Sequence, residues 1–170
     1  DLMERTIYNA LFAAQSPDGR RIRYYSPLEG DRVYHPTDTY CCPCNYRRIV
    51  AELPTMVFYR AQDGLAVNLY TPANAKLSVG KDVPLTIRQE TDYPNSGGIR
   101  VILEPARPVK FPLRLRIPAW ASGATVMVNG QPAAGKVKAG TFFEVAREWK
   151  SGDEVALNLP MSWRLVKGRQ

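Results

Sequence analysis

The three cysteines of the chain fall within four positions, in Tyr40-Cys41-Cys42-Pro43-Cys44-Asn45. Thiolate is the form of cysteine that attacks carbon and binds metal, so a cluster of thiols is the first place to look for chemistry. Three functional readings stand side by side. As Cys-x-x-Cys, Cys41 and Cys44 resemble a redox pair, although no β-strand of a βαβ unit precedes them. As a structural zinc site, the cluster has no second cluster to complete it; the only other soft donor is His35, and further ligands would come from outside the chain. As a nucleophile, a thiol at a helix start faces unpaired N–H groups and the positive end of the helix dipole, with Arg47 and Arg48 close in sequence. A buried, inert cysteine is the fourth alternative. A disulfide framework of the kind small secreted domains use is excluded by the clustering.

The cysteines need a helix to hold them, and the pattern supplies one. Pro43 suits a first helical position, and Tyr46, Ile49, Val50 and Leu53 follow at the spacing of a buried face until Pro54. An earlier helix is expected over Leu2 to Gln15, where Met3, Ile7 and Leu11 recur every four residues beside Tyr8 and Phe12. Ser16-Pro17-Asp18-Gly19 closes it. Between the two helices, positions 20 to 40 read as a long connection rich in Tyr, Pro, Asp and Arg, with at most a short strand at Ile22 to Tyr25; loops of that length are often functional.

Beyond residue 55 the period changes from 3.6 to 2. Strands are expected at Met56 to Tyr59, Leu65 to Tyr70, Leu77 to Val79, Leu85 to Thr91, Ile99 to Leu103, Phe111 to Ile117, Thr125 to Val128, Thr141 to Val145 and Val155 to Leu159. Gln62-Asp63-Gly64 and Asn129-Gly130 read as hairpin turns. Many short strands separated by turn residues predict an antiparallel β-sandwich, so the fold class is mainly β, preceded by two helices.

Composition bounds the remaining possibilities. Apolar residues make up 45% and charged residues 23%, ordinary for a soluble protein, and no apolar run approaches a membrane span. The net charge of +7 is spread rather than gathered on a recognition motif. Arg114 and Arg116 alternate with Leu113, Leu115 and Ile117 as on the solvent face of a strand, and the groupings Arg20, Arg21, Arg23 and Arg164, Lys167, Arg169 read as solvated surface. Neither a nucleic-acid partner nor a membrane partner is expected. The chain begins at Asp1 without a signal peptide and reads as part of something longer, so its localisation is not legible.

Taken in order, Glu4-Arg5-x-x-Tyr8-Asn9, Cys41-Cys42-Pro43-x-Asn45, Asp63-Gly64-Leu65-x-Val67-Asn68-Leu69-Tyr70, Leu115-Arg116-Ile117-Pro118-x-Trp120, Val128-Asn129-Gly130 and Glu148-Trp149-Lys150-x-Gly152-Asp153 resemble glycoside hydrolase family 127, formerly domain of unknown function 1680. The resemblance implies that the two helices look like the end of an (α/α) barrel. Residues 1–58 would be an incomplete catalytic domain and 59–170 a β-sandwich domain. It implies a retaining β-L-arabinofuranosidase type of activity on an arabinofuranoside-like glycan, a carbohydrate partner. In that scheme Cys41 is the nucleophile, held by zinc as a thiolate, Cys42 is a second metal ligand, and Tyr8 approaches the sugar. The family's remaining zinc donors, in a Glu-x-Cys segment, and its catalytic acid have no match in this chain and would belong to an upstream part of the parent chain. Zinc is therefore expected to be weak or absent here. Cys44 has no assigned role, and Glu29, Asp38 and Glu52 read as loop or surface charges.

The competing reading is a non-catalytic, carbohydrate-associated or structural sandwich module, with Trp120, Trp149 or Trp163 as an exposed platform. Two amphipathic helices do not close a barrel. Apolar faces bearing Ile7, Leu11, Ile49 and Leu53 are thus expected to be exposed, with self-association as the outcome.

Overall fold

The computed structural model describes residues 1–23, 29–31, 33–34, 41–163 and 165. The chain divides into two compact units, Asp1–Pro54 and Thr55–Gln170. Among the described residues no helix is long and apolar enough to cross a membrane.

The first unit opens with α1 (Leu2–Thr6), which runs into a π-helical turn, Ile7–Leu11, and a 3-10 turn, Phe12–Ala14. A π turn takes more residues per revolution than an α turn, so the expected spacing of four does not keep one face inward. Ile7 is buried, Met3 and Leu11 are half-buried, and Phe12 stays 41% exposed. Ser16-Pro17-Asp18-Gly19 then turns the chain. The Ser16 hydroxyl donates to Asp18 Oδ1 at 2.5 Å, and the same oxygen accepts the Arg20 N–H at 3.1 Å. These two bonds hold the Asp18 carboxyl below its ordinary pKa. Gly19 takes the left-handed φ of +73° that this turn needs, and an isolated antiparallel bridge joins Gln15 to Ile22 where a short strand was expected. Arg23 follows as irregular chain, and Tyr24 and Tyr25 lie outside the described residues, as do Arg164, Lys167 and Arg169. Arg20 and Arg21 are exposed, whereas Arg23 turns back to donate to the Ala13 carbonyl at 2.6 Å.

The second unit is all β. Its strands are β1 (Phe58–Arg60), β2 (Leu65–Val67), β3 (Ala73–Val79), β4 (Val83–Thr91), β5 (Gly98–Pro105), β6 (Val109–Arg116), β7 (Thr125–Val128), β8 (Gln131–Pro132), β9 (Phe142–Trp149) and β10 (Asp153–Asn158). They form a four-stranded sheet in the order β1-β2-β6-β9 and a six-stranded sheet in the order β3-β4-β5-β10-β7-β8. All pairings are antiparallel except β2 with β6, which run parallel from Leu65↔Leu113 to Val67↔Leu115. Alternation along β4, β5 and β6 sends one face inward. Leu65, Val67, Leu85, Ile87, Val101, Leu103, Leu113, Leu115, Trp149 and Val155 are each at most 2% exposed, drawn from both sheets into one apolar interior.

The turns follow their residue types. Asn129 and Gly130 both take positive φ, +49° and +77°, as a two-residue hairpin requires, and β7 pairs with β8 across them. Asn129 also ties this turn to β10: its amide donates to Asp153 Oδ1 at 2.7 Å, and its Oδ1 accepts the Glu154 N–H at 2.8 Å. At Gly97 a Cβ would strike the Leu159 carbonyl, so the backbones there approach too closely for any side chain.

Arg116 departs from the surface position its alternation suggested. It is only 7% exposed; its Nε donates to the Asn68 carbonyl at 2.5 Å, and its guanidinium lies 5.5 Å from the Tyr70 ring centre. A guanidinium enters an interior when a carbonyl and an aromatic face receive it, and the Asn68 and Tyr70 segment supplies both. Arg114 does stay toward solvent, bridging Asp63 at 2.7 Å and Glu144 at 2.7 Å.

Trp149 is fully buried and donates its indole N–H to the Phe111 carbonyl at 2.9 Å, whereas Trp163 is fully exposed. Trp149→Ala should therefore cost about 3–5 kcal/mol in urea unfolding of the β unit, and Trp163→Ala less than about 0.5 kcal/mol. The Arg114 guanidinium holds the Asp63 carboxyl below its ordinary 3.8. A depressed folded pKa stabilises above the unfolded value and loses that contribution as pH falls through the folded one. Asp63→Asn should thus flatten the acid limb of the stability profile relative to the wild type, measured by unfolding at stepped pH below about 4.

Candidate active site

The cysteines sit on α2 (Cys41–Glu52), which continues as a 3-10 turn, Leu53–Met56, so Pro54 tightens the helix instead of ending it. The helix holds all three cysteines, as expected, with Pro43 as the third residue of its described span. Pro43 is buried, and proline is a residue type suited to an early helical position. Cys41 and Cys42 open that described span. Cys41 and Cys44 are exposed, and Cys42 is half-buried, so the inert-core reading does not describe this cluster.

The Sγ atoms of Cys41 and Cys42 stand 3.8 Å apart. Contact with the Cys41 sulfur, then burial, then the charge of a Cys41 thiolate push the Cys42 thiol above its ordinary pKa of 9.0. Two thiolates bound at about 2.3 Å to a tetrahedral zinc are separated by about 3.8 Å, so this pair already has the spacing of one edge of such a site. It is only an edge: among the described residues no group of three or more His, Cys, Asp and Glu converges. His35 and Asp38 lie outside the described residues, and Glu29 and Glu52 are exposed.

Tyr46 fixes the helix relative to the Ser16 to Gly19 turn. Its hydroxyl donates to Gln15 Oε1 at 3.0 Å, and Gln15 Nε2 donates to the Gly19 carbonyl at 3.1 Å. Burial raises the Tyr46 phenol above its ordinary pKa, which keeps it a donor. The expected apolar exposure is smaller than the pattern implied. Ile7 is buried and Leu11, Ile49 and Leu53 are half-buried; Val50, at 37%, is the exposed member of the α2 face.

Tyr8 is half-buried in the π turn, edge-on to Phe12 with ring centres 6.0 Å apart. Glu4, read from sequence only as part of a motif, is 5% exposed. It lies four residues before Tyr8, and the sequence signal for it was its place in Glu4-Arg5-x-x-Tyr8-Asn9. The described geometry brings Cys41 and Cys42 together and joins the Tyr8 segment to α2 through Gln15 and Tyr46. For the competing platform reading, Trp149 is removed by its burial in the core, Trp120 is half-buried, and Trp163 alone is fully exposed.

Comparison with known proteins assigns the two parts separately. Residues 64–161 match the middle domain of β-L-arabinofuranosidase, glycoside hydrolase family 127, and residues 1–55 match the catalytic domain of the same family. The chain is 30% identical to a non-reducing end β-L-arabinofuranosidase of Bifidobacterium longum subsp. longum, over 98% of its own length and 28% of that protein's. Its structure resembles a family 127 β-L-arabinofuranosidase from Geobacillus stearothermophilus T6, with a TM-score of 0.88, 30% identity, and coverage of 99% of this chain and 29% of that one. A family 127 β-arabinofuranosidase matches with a TM-score of 0.83 and 34% identity, covering 95% of this chain and 28% of that one. The chain thus spans less than a third of the length of these relatives.

With its pKa raised, Cys42 carries less thiolate than an ordinary cysteine at any pH below that value. In the metal-free protein its alkylation by iodoacetamide, followed by peptide mass spectrometry, should lag behind that of an unstructured cysteine peptide near pH 8 and catch up only well above its ordinary 9.0. Equal rates at both pH values would contradict the coupled pair.

Proposed function

Because the chain belongs to glycoside hydrolase family 127, we propose that it carries the nucleophile of a retaining β-L-arabinofuranosidase, Cys41, together with the β-sandwich that follows the catalytic domain. The observation that supports this reading most directly is the exposed Cys41 thiol on α2, inside the segment that matches the family's catalytic domain. Cys42, its sulfur 3.8 Å away, is the second donor for zinc. Zinc, when bound, supplies the positive charge that keeps both sulfurs deprotonated near neutral pH. Among the described residues no third donor joins the pair of Cys41 and Cys42, and a two-donor site holds zinc weakly.

The reaction then needs three things of the protein. Cys41 Sγ attacks the anomeric carbon as its bond to the departing oxygen breaks, which leaves the sugar on sulfur. A carboxylic acid outside the described residues gives its proton to that oxygen. Water, activated by the same carboxylate, next displaces the sulfur, and two inversions amount to retention. Tyr8 contributes a phenol hydroxyl for a sugar hydroxyl, its ring held edge-on by Phe12. The thiolate here takes the place of the carboxylate nucleophile used by most retaining glycosidases.

In a protein that supplies the upstream part of the family catalytic domain ahead of this chain, Cys41→Ser should lower kcat on p-nitrophenyl β-L-arabinofuranoside by at least about 10³-fold with the circular dichroism spectrum unchanged. Cys44→Ser should leave turnover within a small factor, and the 170-residue chain alone should show no hydrolysis. Normal turnover by Cys41→Ser, or cleavage by the isolated chain, would overturn the assignment.

A further inference from the structure

Cys44 has no part in the reaction above, yet it is exposed and lies one helical turn from the exposed Cys41. In an α-helix residues three apart share a face, and a rise of 1.5 Å per residue at a radius of about 2.3 Å puts their Cα atoms about 5 Å apart. That falls within the roughly 4.4–6.8 Å that a disulfide spans, and closing the Cβ atoms from about 5–6 Å to about 4 Å draws in the turn between them. The other pairs fail. Cys41 and Cys42 are neighbours across a peptide bond, with Cα atoms about 3.8 Å apart, too close for unstrained bridging. Cys42 and Cys44 are two residues apart and point to opposite sides of the helix. The phase of α2 therefore selects a single partner for Cys41, and both members of that pair are open to small solutes.

We propose that Cys41 and Cys44 form a reversible disulfide, with Cys44 as the resolving thiol, when the protein meets a low-molecular-weight disulfide. The Cys41 thiolate attacks one sulfur of glutathione disulfide, forming a mixed disulfide and releasing one glutathione thiolate. Cys44, as thiolate, attacks the Cys41 sulfur of that mixed disulfide and expels the second glutathione. The two cysteine thiols are oxidised, the glutathione disulfide is reduced to two thiols, and the two cysteine protons pass to the two glutathione thiolates. Formation of the bond rests on the Cα spacing and exposure of the pair, and it turns the Cys41 sulfur away from Cys42, which it meets at 3.8 Å in the reduced protein. Its consequence, that Cys41 is withdrawn both from sugar chemistry and from metal binding, rests on the catalytic reading of Cys41.

The test incubates the full 170-residue chain, metal-free, with glutathione disulfide, quenches with N-ethylmaleimide and maps the cysteines by mass spectrometry. The wild type should lose the mass of two hydrogens within one chain, with the bond between Cys41 and Cys44, and dithiothreitol should restore both thiols. Cys42→Ser should give the same product. Cys44→Ser should give no internal bond and should instead accumulate a glutathione adduct on Cys41. A bond between Cys41 and Cys42, a bond between two chains, or unchanged thiols in the wild type would overturn the proposal while leaving the catalytic reading intact. If the internal bond forms but the Cys41→Ser enzyme keeps normal turnover, the withdrawal of a catalytic group is overturned and the catalytic reading fails with it.

Discussion

Successive residues of an α-helix are turned by about 100°, and that phase governs the three thiols of α2. Every reactive property assigned to this chain depends on it. Cys41, Cys42 and Cys44 all lie within the helix, which exposes Cys41 and Cys44, half-buries Cys42, and brings the sulfurs of Cys41 and Cys42 to 3.8 Å. Tyr46 maintains that phase from the next turn, bonded through Gln15 to the turn that ends the first helical segment.

The sandwich shows a different use of polar groups. Several of the motif residues act as interior locks. Arg116 is received by the Asn68 carbonyl and the Tyr70 ring, the Tyr70 hydroxyl donates to the Arg116 carbonyl, and Trp149 donates to the Phe111 carbonyl. Each lock meets a buried polar group with a partner, so the apolar interior is not interrupted by an unpaired charge. Asn68 also donates to the Met56 carbonyl, which extends the lock toward the start of the β unit.

Much of this fold was legible because alternation and turn chemistry are local. Asn129-Gly130 announced its hairpin, and β4 and β6 alternate as half-buried strands should. What was not legible depends on distant partners. Nothing adjacent to Arg116 reveals that a carbonyl and a ring on another segment await it, so its alternation read as surface. The two-residue β8 carries no period at all, and the parallel pairing of β2 with β6 has no local signature. In the helical unit, a spacing of four at Met3, Ile7 and Leu11 looks the same whether or not the backbone widens into a π turn. The cysteine cluster was visible as a motif, but the burial that distinguishes Cys42 from Cys41 and Cys44 depends on what packs against the helix. His35, Asp38 and Tyr40 lie outside the described residues.

The parallel pairing of β2 with β6 also governs how the chain is threaded. Antiparallel neighbours can be joined by a hairpin, but two parallel strands are joined only after the chain has travelled away and returned. Here the excursion from Asn68 to Pro108 is spent building β3, β4 and β5 of the opposite sheet. The middle of the small sheet is therefore held by contacts distant in sequence, because β6 also pairs with β9 across the intervening β7 and β8. Such contacts cost loop-closure entropy before they return any stabilisation, which places the β unit among topologies that fold slowly for their size.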